Sequence, residues 1–557
     1  MVIDPVKRLL GNYVLAASVL VTLFVSPWNS IDPVSLPKLM LLGILSCIAI
    51  GLTISVTSFY RNNGNRVFLF LCVAFFGQLI LVLMMDAADF SFKFYGTSGR
   101  STGFFAYVCL LFILASSAVS ASRELLRAYT LVLIGVGSAL ALYGFLQETG
   151  NDFYRFVNAY ESNVFGTFGN PNYQSAFMGI FSSVSLTLIV FSRIKLLLKI
   201  PLTFMVLLAV LNMTWSSDQG YFNFVAGFVA ASFVYLFSTK RKLASRGLLT
   251  GAAIGALILF LGILNKGPLA EFVFKSSLQA RGFYWRAAFN MLIENPVFGV
   301  GMDGYGEAFR ASRPAWVAQS NPGLVTDTAH SIPLDIGASG GFPLFLLYFA
   351  IIGFVVISIS RTLKRQQEFD VVYAAIVAAW FAYQAQSFIS INQLGLGVWG
   401  WSLGGLLIGY ELNNRDETSR SYDQKKNKVK SPKQVIPAAS FLLAAMGLCV
   451  GLAASLPPYI AANKYYKAVK SGDALILQPS TYLKPYDKAR FLYTAQIFTD
   501  NKLDERAIAI LRDASKIYPN SFDVWSKWAL IPSASPADVA TAKAQMKRLD
   551  PNNPDLK

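Results

Sequence analysis

The chain has 557 residues, of which 54% are hydrophobic and only 14% charged, against about 25% charged residues in soluble globular proteins. This excludes a disordered chain and argues against a soluble enzyme. The formal net charge is +17, from 48 Lys and Arg against 31 Asp and Glu. These cations sit in short clusters between long apolar runs, which is the pattern of membrane topology and not of a nucleic-acid surface.

A bilayer-spanning helix needs about 20 mostly apolar residues. In chain order, such runs predict spans at 11–28, 38–56, 66–86, 101–120, 127–147, 174–192, 197–213, 220–238, 248–265, 341–360, 370–388, 392–410 and 436–457, thirteen in all. One set of alternate connections, from Lys7 and Arg8 to the seven cations of 411–435, carries 23 Lys and Arg. The opposite set, which includes Lys38, Lys93, Arg100 and Arg155, carries ten. Lys and Arg stay on the cytoplasmic side, so the N-terminus is expected there and the tail on the outer side.

The expected fold is an all-α polytopic membrane protein of about 12–13 transmembrane helices with a large extracytoplasmic loop. Residues 1–410 form the core and include the loop 266–340, which is long for a connection and therefore a place to look for function. Residues 411–435 are a basic cytoplasmic linker, low in apolar content, and 436–457 the last span. The tail, 458–557, shows helical spacing in TYLKPYDKARFLYTAQIFTD, KLDERAIAILRDASKIYPN, SFDVWSKWALI and PADVATAKAQMKRLDPNNPD. Its successive short helices are expected to form a helical, tetratricopeptide-like domain. Deletion of 466–557 is expected to leave the membrane core folded, since spanning helices satisfy their own backbone hydrogen bonds.

Four polar clusters fall on the expected outer side: FYGTSGRSTGFFAY (94–107) with Arg100, VFGTFGNPNYQSAF (164–177) with Asn170 and Asn172, ARGFYWRAAFNMLIENPVFGVGMDGYGEAFRASR (280–313), and TDTAHSIPLDIGASGGFPLF (326–345). The third holds Arg281, Arg286, Asp303, Tyr305, Arg310 and Arg313, and the fourth the only histidine, His330, three residues after Asp327. GVGMDGYG (299–306) is glycine-rich, but no strand precedes it, so it is a weak nucleotide signal. Cys47, Cys72, Cys109 and Cys449 lie in apolar runs without a C-x-x-C pair, which supports neither a thiolate zinc site nor a disulfide framework.

NPNY after a GTFG turn, R-x-x-Y-W followed by NP-x-x-G-V-G-x-D-x-Y-G, and D-x-x-H-S occur in that order. Together they resemble the bacterial O-antigen ligase and polymerase superfamily, which also contains the protein O-oligosaccharyltransferases, over roughly residues 95–410. SFISINQLGLGVWGWSLGGLLIG (387–409) is similar to the branch with a helical-repeat tail. At TWSSDQG (214–220), where many relatives have Ser-Arg-Gly, this chain has Gln219.

The resemblance implies transfer of a glycan from a polyprenyl-diphosphate carrier to a hydroxyl acceptor (a glycan, lipid or protein) outside the cytoplasmic membrane of a bacterium. No metal or cofactor is expected, and no nucleic acid as partner. Arginine suits the departing diphosphate because its planar fork meets two oxygens and stays charged, so Arg100, Arg281 and Arg286 are the expected diphosphate ligands. His330, with an unperturbed pKa near 6.5, is the expected base. Asp327 is expected on the same face of a helical turn, orienting the imidazole and raising its pKa. Asp303, Tyr305, Asn170, Asn172, Gln219 and Arg310 are further site residues to test. A multispan transporter or flippase of lipid-linked or anionic solutes is the alternative; against it, no second half resembles the first.

Overall fold

The computed structural model describes residues 4–26, 31–153, 162, 164–263, 265–268, 271, 276–415 and 436–556. Arg155 and most of the basic linker, from 416 onward, lie outside the described residues. A helix occurs at each expected span: α1 Pro5–Leu23, α2 Ser35–Ser55, α3 Arg66–Met85, α4 Phe104–Ser120, α5 Arg123–Glu148, α6 Pro171–Phe191, α7 Leu196–Ser216, α8 Gln219–Ser238, α9 Lys242–Ile263, α10 Ile332–Arg365, α11 Val371–Ile389, α12 Leu394–Asn413 and α13 Ala438–Ser471. No strand occurs among the described residues, and eleven of the helices are long and apolar enough to cross a membrane. The other two are α4, with 17 residues, and α12, whose glycines and terminal polar residues lower its hydropathy.

Those two helices are also the most enclosed, with nearly every residue of both buried. They pack backbone to backbone. A Cβ at Gly405 or Gly409 would run into the carbonyl oxygens of Leu114 and Ala118, so only glycine permits this approach. Small residues at helix contacts are the usual solution in a bilayer, where lipid offers no hydrophobic drive for helix association. Helix starts follow local chemistry as well. Asp4 and Asn170 each stand before a proline and accept the amide two residues on, at 2.9 Å, satisfying an orphan N–H of the first turn.

Helix α10 is broken. Gly341 has φ 71° and ψ −175°, separating 332–340 from the span proper. Residues 332–340, expected in the loop, are therefore helical. Around the break, the amide of Val300 donates to Ala338 O at 2.8 Å and that of Gly301 to Ser339 O at 3.1 Å. The glycine-rich NPVFGVG segment is thus bonded to the broken helix end, which supplies partners to backbone groups that a straight helix would keep for itself.

At 34 residues α13 is about 51 Å long, well beyond the bilayer core of about 30 Å. Its distal part enters the tail, where helices Ala474–Thr481, Lys488–Asp500, Asp504–Ile517, Phe522–Ala529 and Pro536–Leu549 enclose a second core around Phe491, Leu511 and Trp525. Residues 482–487, expected as the start of a helix, form a non-helical turn before the Asp487 cap.

The tail also grips the rest of the molecule. Arg313 is fully buried, pairs with the fully buried Asp550 at 2.7 Å, and donates to the carbonyls of Asn321, Pro322 and Leu324. Lys488 pairs with Glu307, and the amide of Tyr486 donates to Ser91 Oγ at 3.1 Å. These contacts join the tail to the long loop and to the segment before α4.

Candidate functional site

A cavity of 430 Å³ opens where five connections meet. They supply Asp32 to Ser35, Gly99 and Arg100, Phe165, Phe168 to Asn170 and Tyr173, Asp327 and His330, and Ile391 to Leu394. Each precedes an even-numbered span, so the antiparallel run of helices brings all five to one end of the bundle.

Arg100 is held from several sides. Nη1 donates to Asp327 O at 2.8 Å and lies 3.4 Å from that residue's carboxylate, while Nη2 lies 3.7 Å from Asp303. Burial works against the guanidinium charge, but Asp303, Asp327 and Asp335 outweigh it and hold the group protonated. Asp303 in turn fixes the Arg100 connection, accepting from the Thr97 amide at 2.6 Å and the Thr102 hydroxyl at 3.0 Å. It is buried and lies under the cavity wall, so its place is behind Arg100.

His330 has φ +52°, Asp303 φ +60° and Ser101 φ +56°. Non-glycine residues seldom adopt this left-handed conformation, and it persists where the surroundings over-determine it. Here three such residues surround one arginine. The His330 ring stacks on Tyr284 at 5.4 Å, and its amide donates to Thr328 Oγ1 at 2.8 Å.

Burial lowers the imidazole pKa to about 4, reinforced by Arg281 and Arg100 and opposed by Asp327. At neutral pH the ring is uncharged and has a lone pair to accept a proton. This corrects two expectations. Residues 325–331 are not helical, so Asp327 does not reach the imidazole from one helical turn; its carboxylate faces Arg100. Asp327 does push the histidine pKa up, but burial and two arginines push it down further.

Arg281 and Arg286 lie on the helix Ser276–Glu294. Five residues apart is about 140° around a helix, so they face different ways. Arg281 is half-buried and acts on His330, whereas Arg286 is exposed and sits over the Trp316 ring at 5.6 Å. Neither lines the cavity; Arg281 bears on it through the charge it places near His330, and Arg286 does not. Tyr305 is buried, donating to Tyr284 O at 2.7 Å, and so supports the ring on which His330 stacks. Arg310 stands over the Phe522 ring at 3.8 Å and pairs with Asp550 at 3.2 Å, which places it in the contact with the tail.

Asn170 lines the cavity as the cap of α6, and Asn172 donates its amide to that cap from outside the wall. Gln219 begins α8, buried and away from the cavity; both its amide atoms lack a hydrogen-bond partner.

Three residues were absent from the sequence-based site. Lys38, counted there only as a topology charge, is fully buried and donates to Val21 O at 2.8 Å and Thr22 O at 2.6 Å. A cation at these carbonyls complements the negative end of α1, and its ammonium lies 5.8 Å from the Phe168 ring in the cavity wall. A lone lysine in the first turn of an apolar run was the available signal. Asp335 accepts the Ala329 amide at 2.7 Å and so fixes the turn before His330. Asp32 lines the cavity and accepts the amides of Val34 and Ser35. Arg313, in sequence a weaker diphosphate candidate beside Arg310, is instead buried against Asp550 and carries the loop–tail bond.

No curated protein matches the chain. Residues 171–349 match the family model described as O-Antigen ligase, a segment that holds Arg281, Asp303, Asp327 and His330 and leaves Arg100 and Asp32 outside it. The match supports the O-antigen ligase superfamily and, with the apolar helices, a multi-pass membrane protein that transfers glycans as a ligase or polymerase.

Proposed function

We propose that this chain transfers a glycan from a polyprenyl diphosphate to a hydroxyl acceptor on the outer face of a bacterial cytoplasmic membrane. The observation that carries the reading is a histidine held neutral beside two arginines at a cavity 430 Å³ in volume. In this reading Arg281 and Arg100 receive the diphosphate, and growing negative charge on the leaving group meets cations already in place. The neutral His330 takes the proton from the acceptor hydroxyl as its oxygen bonds to the anomeric carbon. The bond from that carbon to the phosphate oxygen breaks, and its electron pair leaves with the lipid diphosphate. A single displacement of this kind inverts the anomeric carbon and calls for no metal.

The arginines that lower the histidine pKa are those that would face the donor. Diphosphate binding offsets their charge and makes His330 a stronger base when the donor is present. Asp327 and Asp303 serve by positioning Arg100. The outer-face orientation is supported by the cation asymmetry of 23 to 10, because the cavity lies at the end of the bundle with fewer cations. The tail's paired helices favour the tetratricopeptide-like reading. The test is His330→Gln in purified protein supplied with a lipid-linked oligosaccharide. Loss of transfer with retained donor binding is expected; turnover at the wild-type rate would remove the histidine from the mechanism.

A further inference from the structure

A second cavity, 390 Å³ in volume, lies between the tail and the membrane core. Asp32 lines both it and the His330 cavity, so the two adjoin. Its polar residues include Asp32, Asp487, Arg490, Tyr493, Gln496 and Lys527, set among apolar walls that include Leu36 and Ala462. Arg490 is 4% exposed, yet its Nη1 has no hydrogen-bond partner. Its remaining nitrogens are occupied: Nη2 donates to Pro485 O, and Nε lies 3.9 Å from Asp487. A buried guanidinium nitrogen left unpaired costs free energy unless a ligand meets it. Tyr493, by contrast, is 49% exposed and offers a flat ring.

Resting on the glycan-transfer reading above, we infer that this cleft binds the acceptor as a neutral saccharide and leads its hydroxyl to His330. Carboxylates accept hydrogen bonds only, and guanidinium and ammonium groups donate only. A sugar hydroxyl does both, so a polyhydroxylated ligand meets Asp487 and Arg490 together. The charges lining this cleft balance, Asp32 and Asp487 against Arg490 and Lys527, which suits an uncharged polar partner better than a polyanion. Apolar walls with a few converging polar groups in a volume of this size are the ordinary form of a small-ligand site.

The decisive experiment uses full-length protein and, as probe, neutral oligosaccharides released by mild acid from the envelope polysaccharide of the source cell. Binding is measured by calorimetry on His330→Gln protein, and transfer kinetics on the active enzyme with saturating lipid-linked donor. Tyr493→Ala removes an exposed ring and leaves the tail core intact. It is expected to raise the acceptor KM and weaken oligosaccharide binding by about three- to tenfold, as for loss of one aromatic contact. Donor KM and kcat stay as they were. Gln496→Ala is expected to act in the same direction. Unchanged oligosaccharide binding in both variants overturns the cleft, as does competition by unglycosylated polypeptide in place of the oligosaccharides. Absence of any transfer by wild-type protein counts instead against the parent reading, and the binding arm still judges the cleft.

Discussion

His330 sits between opposing fields, and the signs can be separated. Its pKa of about 4 is set by burial, Arg281 and Arg100, with Asp327 acting against them. As a base it must be uncharged, so kcat/KM falls as pH drops through the free-enzyme value, near 4 and not near 6.5. Asp327→Asn removes the one contribution that favours the protonated ring, so its acid limb moves lower. Arg281→Gln removes a contribution that disfavours it, so its limb moves higher. The kcat limb, which reports the donor complex, is expected above that of kcat/KM. A pH–rate series in the three proteins checks the order; limbs that coincide would mean that another group titrates.

Arg281→Lys keeps the charge and loses the bidentate fork, so transfer falls about tenfold or more. Arg286→Lys, exposed over Trp316, changes transfer less than threefold by the same assay, roughly the worth of an exposed cation–π contact. Equal effects would contradict the assignment of only one of them to the donor. The family motifs brought His330 and Arg281 into view from the sequence, and the polar cluster 94–107 brought Arg100. The motifs did not separate Arg281 from Arg286, because motif spacing says nothing of which face of the helix turns toward His330. Nor did they find Asp335 or Lys38, whose roles are bonds to backbone groups of turns and helix ends distant or irregular in the chain.

At the scale of elements, the long loop is held from two ends: by the broken α10 and by the tail. Arg313 and Asp550 are both fully buried, and removing one partner of such a pair typically costs about 3–5 kcal/mol because the other charge is left uncompensated. Asp550→Ala is therefore expected to loosen the loop. Limited proteolysis around 313–326 should show faster cleavage, with reduced transfer, while α1 to α8 stay protected. The same cleavage rate as wild type would mean that the tail merely rests on the loop. Helix positions were readable from apolar runs because a bilayer demands them. The break at Gly341 was not, since the sequence GASGGF fits a helix start as well as a kink. The 313–550 bond joins residues too far apart in sequence for any local pattern to reveal.

Across the whole molecule, the proposed chemistry depends on which side the cavity faces. The end bearing His330 is also the end from which α13 enters the tail. A cysteine replacing Lys425 is expected to resist an impermeant thiol reagent in intact cells, and one replacing the exposed Asn520 to react. The reverse pattern would place the site on the cytoplasmic side. The most direct test of the central claim remains the single turnover of a lipid-linked oligosaccharide by His330→Gln, with donor binding measured in the same preparation. The account predicts a fall in transfer of roughly two to four orders of magnitude, with donor affinity within about threefold of wild type because Arg281 and Arg100 remain. Transfer at the wild-type rate would contradict it.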